Sequence, residues 1–202
     1  MTTRLLALLG TLGLSACASA PTHYYTLLPT AAPAATRTDL AAATFQFEMR
    51  PVRVPVQVDQ PEVVVREGVG SLALLETERW SAPLADEFHD ALVSQLEINL
   101  GLRDMAGLAR HSKLPILSLQ VEVRRFDSVS KQYALIDVVW SMSQRASGRE
   151  RRSLTCSSVI RQAAGPKIAD LVAAHQQAIG QLAGIIATTA RSWSALPATT
   201  CP

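Results

Sequence analysis

This sequence predicts an α/β protein of layered α+β architecture. The expected fold is a single domain, in which a mixed, mostly antiparallel β-sheet carries a β-α-β crossover and a long C-terminal helix packs on the sheet. Three observations predict it. Leu84, Phe88, Ala91, Leu92, Leu96 and Leu100 recur at threes and fours, the period of a helix with one buried face. Residues 114–126 alternate, with Leu117, Leu119, Val121 and Val123 set against Ser118, Gln120, Glu122 and Arg124, the period of a half-buried strand. A second helical stripe, from Ile168 through Leu171, Val172, His175, Ile179, Leu182, Ile186 and Thr189 to Trp193, makes a helix of about 39 Å, long enough to cross a small domain.

The elements follow in chain order. Met1 to Arg4 carries a positive charge and Leu5 to Leu14 is largely apolar. That is the charged and hydrophobic part of a secretory signal, too short to span a bilayer. It ends in Leu14-Ser15-Ala16-Cys17, which resembles a bacterial lipobox. Residues 1–16 are therefore expected to be a lipoprotein signal peptide, with Cys17 becoming an acylated amino terminus (a palmitate-type lipid anchor). The alternative is an ordinary signal cut after Ala18 or Ala20. Residues 17–23 read as the lipidated tether and 24–202 as the domain.

His23 to Leu28 is a candidate first strand, and the Ala-, Pro- and Thr-rich stretch 29–43 a connector. Phe45, Phe47 and Met49 alternate with polar residues, after which Pro51 and Pro55 demote the run to an edge strand or irregular extension. Residues 61–67 and 71–80, separated by Gly68-Val69-Gly70, read as a hairpin. For the first helix Ser81 is the expected N-cap, Pro83 fits the first turn, Asp86 and Glu87 suit the positive end of the dipole, and Gly101 supplies the left-handed stop. Two further strands are expected near 132–145 and 149–161, joined by a turn at Ser147-Gly148. Gly165-Pro166 then leads into the long helix. The strand at 71–79, the helix at 82–100 and the strand at 114–126 form the expected crossover, within one sheet.

Charge and motifs exclude several classes. Without Arg4, one of the 19 basic side chains of the full sequence, the remaining basic residues nearly balance the 17 acidic ones, which argues against a nucleic-acid partner. There is no phosphate-binding Gly-Lys-Ser/Thr loop, no His-Glu-x-x-His and no paired Cys-x-x-Cys, so neither a cofactor nor a metal is expected. A hydrolase site assembled from Ser71, His89 or Asp90 is the remaining enzymatic reading. It is poorly supported, because Gly68-Val69-Gly70-Ser71 opens a strand rather than a helix, and because helix neighbours such as His89 and Asp90 point about 100° apart. His175, in the apolar stripe, reads as a core histidine. Gly180 and Gly184 read as close packing on a neighbouring element, with self-association as a homo-oligomer the alternative.

Cys156 and Cys201 remain. In an oxidising compartment two leftover cysteines favour a disulfide, the alternative being a buried thiol at 156 and an exposed one at 201. Leu154, Cys156, Ser158 and Ile160 share the strand face expected toward the helices, and residues 194–201 span up to roughly 26 Å, enough to return to Cys156.

The lipobox, Tyr24-Tyr25-x-Leu27 soon after it, the Glu78-Arg79-Trp80-Ser81-Ala82-Pro83-Leu84 run leading into a helix, and the terminal helix closing on Trp193 and Leu196-Pro197 together resemble the PqiC-type ABC-transport auxiliary lipoprotein family. The similarity covers essentially the mature chain, with Trp80, Pro83 and Leu84 its most specific residues. It implies a non-enzymatic docking piece of MCE-type intermembrane lipid transport, lipid-anchored in the outer membrane and facing the periplasm. The partner it implies is an MCE-domain protein that bridges the periplasm, with its permease and ATPase in the inner membrane. A carrier that holds lipid between sheet and long helix is the alternative. Trp80 itself reads as a packing residue at the helix start rather than a partner contact.

Overall fold

The computed structural model describes residues 20–30, 44–108, 114–145, 151–196 and 200–202. Cys17 and the signal segment, most of the 29–43 connector, the turn at Ser147-Gly148 and Pro197 lie outside the described residues. The elements are β1 (His23–Tyr25), β2 (Gln46–Met49), β3 (Glu62–Arg66), β4 (Leu72–Trp80), α1 (Leu84–Leu100), β5 (Ile116–Val129), β6 (Tyr133–Arg145), β7 (Arg152–Ala163) and α2 (Ile168–Ala195). No helix among the described residues is long and apolar enough to cross a membrane.

The strands form two sheets where one was expected: a three-stranded sheet in the order β1-β4-β3 and a four-stranded sheet in the order β2-β5-β6-β7. The β3–β4 hairpin and the β5-β6-β7 meander are antiparallel, while β1 runs parallel to β4 and β2 parallel to β5. The connection from β4 through α1 to β5 therefore passes from one sheet to the other. The reason lies in edge occupancy. Gln46–Met49 pairs with Ile116–Leu119 and takes the free edge of β5, and His23–Tyr25 pairs with Glu78–Trp80 and takes the free edge of β4.

The four-stranded sheet turns Leu119, Val121, Val138, Trp140, Met142 and Cys156 inward, as strand alternation requires. α2 crosses β6 and β7 on that face and lies beside α1. A bulge between Val123 and Arg125 lets β5 keep Phe126 facing inward, opposite Ile136, where simple alternation would turn it out. Ile179, Leu182 and Ile186 of α2 are essentially inaccessible, as are Trp140 and Met142. The layer between sheet and long helix is thus filled with side chains rather than open as a lipid groove. On α2, a Cβ at Gly180 would stand 3.8 Å from Gln95 of α1, and one at Gly184 would meet nothing within 4 Å. Gly180 thus faces the neighbouring helix, which fits helix-pair packing.

α1 stops at Gly101, whose φ of 69° is left-handed, the conformation glycine adopts without strain. The expected N-cap is displaced. Pro83 occupies that position, and its carbonyl accepts the N–H groups of Asp86 and Glu87 at 2.9 and 3.0 Å.

Candidate functional site

The residues that mark the helix start converge on one junction. Trp80 ends β4 and is 5% exposed, its ring set edge-on to Phe126 at 6.2 Å. Leu84, the first residue of α1, is buried to 1%. Trp80 and Leu84 therefore supply packing, and Pro83 sets the backbone that turns the strand into the helix. Burying an indole of this size contributes on the order of 3 kcal/mol.

Ser81 holds the junction in another way than capping. Its hydroxyl donates to Glu87 Oε1. Glu87 Oε2 accepts from the Thr26 hydroxyl and the Leu27 N–H, each at 2.7 Å. Glu87 is 4% exposed, and three donors satisfy a carboxylate that burial would otherwise make costly. Its position in the first helical turn reads from sequence as a dipole partner. The clamp on the N-terminal segment is legible only once β1 is seen to lie beside β4. Gln176 of α2 adds a second tie, donating to the carbonyls of Thr26 and Leu28 at 3.1 Å each.

Tyr25 and Tyr24 point in different directions. The Tyr25 hydroxyl donates to Glu78 Oε2 at 2.5 Å, and His23 Nδ1 is 3.0 Å from Glu78 Oε1. The hydrogen bond to that carboxylate, then burial, then the carboxylate's charge push the Tyr25 phenol up to about 12. The same Tyr25 hydrogen bond lowers the Glu78 carboxyl, against the opposing effect of burial and with help from His23. Tyr24 is 67% exposed. Beside the junction lies a mainly apolar cleft of about 420 Å³, lined by Asp59, Gln60, Pro61 and the stretch from Trp80 to Pro83.

The residues considered for hydrolysis do not assemble. His89 Nδ1 stands 3.1 Å from Asp90 Oδ1, so these helix neighbours do meet, contrary to the expectation from their angular separation; both side chains bend over the exposed surface. Ser71 closes the β3–β4 hairpin, its carbonyl accepting the Glu67 N–H at 3.1 Å. Among the described residues no hydroxyl is hydrogen-bonded to His89. A serine–histidine pair among the described residues is Ser128 Oγ and His175 Nε2, at 2.9 Å. Both are buried, the imidazole stacks on Phe126 at 3.8 Å, and its Nδ1 has no partner. Burial pushes the His175 pKa down to about 3, only partly offset by the charge of Asp127. Asp127 is engaged by Arg66 at 2.9 Å and Arg125 at 2.5 Å, so it joins β3 to β5 rather than orienting the imidazole. Among the described residues no group of three or more His, Cys, Asp or Glu side chains is placed to hold a metal.

Cys156 and Cys201 form a disulfide with a Cα–Cα distance of 5.5 Å. Cys156 is buried on the helix side of β7, opposite Trp140, and Cys201 is exposed. The bridge fastens the C-terminal tail to the strand.

Three comparisons bear on this arrangement. The sequence model of the ABC-type transport auxiliary lipoprotein component family matches residues 25–187. A search of curated proteins found no match. Among solved structures, one described as an uncharacterized protein superposes with a TM-score of 0.59 at 17% identity, covering 84% of this chain and 98% of that one. A Xanthomonas campestris protein superposes with a TM-score of 0.56 at 18% identity, covering 86% of this chain and 100% of the other. These two likenesses establish a shared fold.

Proposed function

The chain belongs to the ABC-type transport auxiliary lipoprotein component family, and from that premise we propose that it is a docking lipoprotein of an MCE-type intermembrane lipid transport system. In this reading residues 1–16 are removed as a signal peptide, Cys17 carries the acyl chains, 17–23 is the tether and 24–202 the working domain. The observation that carries the reading is the extent of the family match, which runs from β1 through both sheets and α1 well into α2.

The geometry is consistent with a membrane-proximal role. Cys17 precedes His23 by six residues, a contour of at most about 20 Å, so the sheet containing β1 stays close to the lipid surface. Ala18 lacks the aspartate that retains lipoproteins in the inner membrane of enteric-type bacteria, which favours the outer membrane and its periplasmic face. The burial of the Ser128–His175 pair, out of contact with solvent, supports a non-enzymatic role. A lipid carrier is the second reading; the cleft beside Trp80 is what favours it, and its volume falls within the range of small-molecule sites.

Epistasis tests the proposal. Deleting the lipoprotein gene should weaken envelope lipid homeostasis as much as deleting the gene for its MCE partner, with no further defect in the double deletion. An additive phenotype would place the two in separate pathways. Stoichiometric lipid extracted from purified, unacylated protein would favour the carrier instead.

A further inference from the structure

The outward face of the four-stranded sheet holds a second depression, of about 400 Å³ and polar where the cleft beside Trp80 is apolar. Strand register builds its floor. Ser118, Ser143 and Ser153 lie side by side on β5, β6 and β7, and Gln120, Ser141 and Thr155 form the next row. Five of these six side chains are short hydroxyls, so the floor stays low across three adjacent strands. Two arginines line it, Arg50 and Arg151. Arg50 follows β2, its N–H bonded to the Leu119 carbonyl at 2.9 Å, and Arg151 precedes β7 with its Nη2 on Ser143 Oγ at 3.0 Å. β2 and β7 are three strand spacings apart, roughly 14 Å, and the Arg151 head already lies over the middle strand β6.

The lining contains these two cations and no carboxylate. Glu48 stands at the β2 margin, where it accepts from the Ser118 hydroxyl and withdraws that donor from the pocket. Ser143 accepts from Arg151, so its own proton is directed elsewhere. What faces the depression is a set of charged planar donors and neutral hydroxyl donors at mid-sheet. That combination suits a tetrahedral oxyanion, because guanidinium forks match phosphate oxygens and the hydroxyls satisfy the remaining lone pairs. We propose that this depression binds a phosphate group, whether a free phosphate or the phosphodiester of a lipid headgroup. The inference goes beyond the docking role and does not depend on it.

Arginine footprinting of the full-length lipoprotein in maltoside micelles tests it, using phenylglyoxal labelling read by mass spectrometry. Inorganic phosphate, but not chloride at equal ionic strength, should slow modification of Arg50 and Arg151 about tenfold, the scale of a charge-assisted contact. Arg124, exposed on β5 and outside the pocket, should be unaffected. In R151Q the protection of Arg50 should be lost, since the two groups hold one ligand. A second arm replaces phosphate by reconstitution into phosphatidylglycerol vesicles. Protection by phosphate alone identifies a soluble anion, and protection only in vesicles, again abolished at Arg50 by R151Q, identifies a headgroup. No protection in either arm, equal protection by chloride, or protection of Arg50 that survives R151Q overturns the proposal.

Discussion

Replacing Cys201 with serine is a clean perturbation, because the exposed half of the bridge is removed and the core is left intact. The bridge joins residues 45 apart in sequence, and closing a loop of that length lowers denatured-state entropy by the equivalent of about 4 kcal/mol at 25 °C. Little native-state packing is lost with it, since Leu196 and residues 200–202 are exposed. Cys201→Ser should therefore cost about 4 kcal/mol, and the whole effect should act through the unfolded chain. Cys156→Ser should cost about 1 kcal/mol more, because it also sets a hydroxyl in the buried position opposite Trp140. Urea unfolding of the purified protein, with and without reductant, measures both. Reduced wild type should match Cys201→Ser, and both should show a larger m-value than the oxidised protein, as the freed chain exposes more surface. A loss below about 1 kcal/mol, or a reductant effect that persists in Cys201→Ser, would refute the reasoning.

His175 makes stability depend on pH. Its pKa is about 3 when folded against 6.5 for the free side chain, so its contribution is full above pH 6.5 and is lost as pH falls toward 3. In that window wild type should lose up to about 1.4 kcal/mol per pH unit more than His175→Gln, which keeps a partner for Ser128 but does not titrate; parallel urea-midpoint profiles would contradict this. Glu78→Gln should bring the Tyr25 phenol down from about 12 toward the ordinary value near 10, read by ultraviolet or NMR titration, and an unmoved titration would count against the Tyr25–Glu78 hydrogen bond. Gly180→Ala should raise stability by about 0.5–1 kcal/mol, since its Cβ meets only ordinary contact. Gly165→Ala should instead lower it by about 1 kcal/mol, because the added carbon collides with the Asp170 carboxylate that accepts the Lys167 N–H. Thermal melts of the two variants that shift in the same direction would break that pair of expectations.

What the sequence revealed depended on how much local pattern each feature carried. β5 was visible in the alternation of Leu117 to Val123, α1 in the Leu84-to-Leu100 stripe with Gly101 behind it, and α2 in its long apolar face. The division into two sheets was not visible. It rests on β1 and β2, three and four residues long, too short to show a period and paired with strands far along the chain. Ser81 and Glu87 misled for a related reason. Each carries a residue type preferred at a helix N-terminus, yet both are drawn into a cluster completed by Thr26 and Leu27, about 60 residues away. The adjacency of His89 and Asp90 fixed their backbone directions but not the rotamers that bring their tips together. The polar depression was equally hidden, because its six floor residues come from three strands and become neighbours only through register.

Affinity capture of the chromosomally tagged lipoprotein after in-cell crosslinking tests docking most directly. An MCE-domain protein should co-purify with the wild type and be lost from a Cys17→Ser variant that no longer fractionates with the outer membrane. A wild-type lipoprotein that sits in the inner membrane, or that is captured repeatedly without any MCE-domain protein, would contradict it.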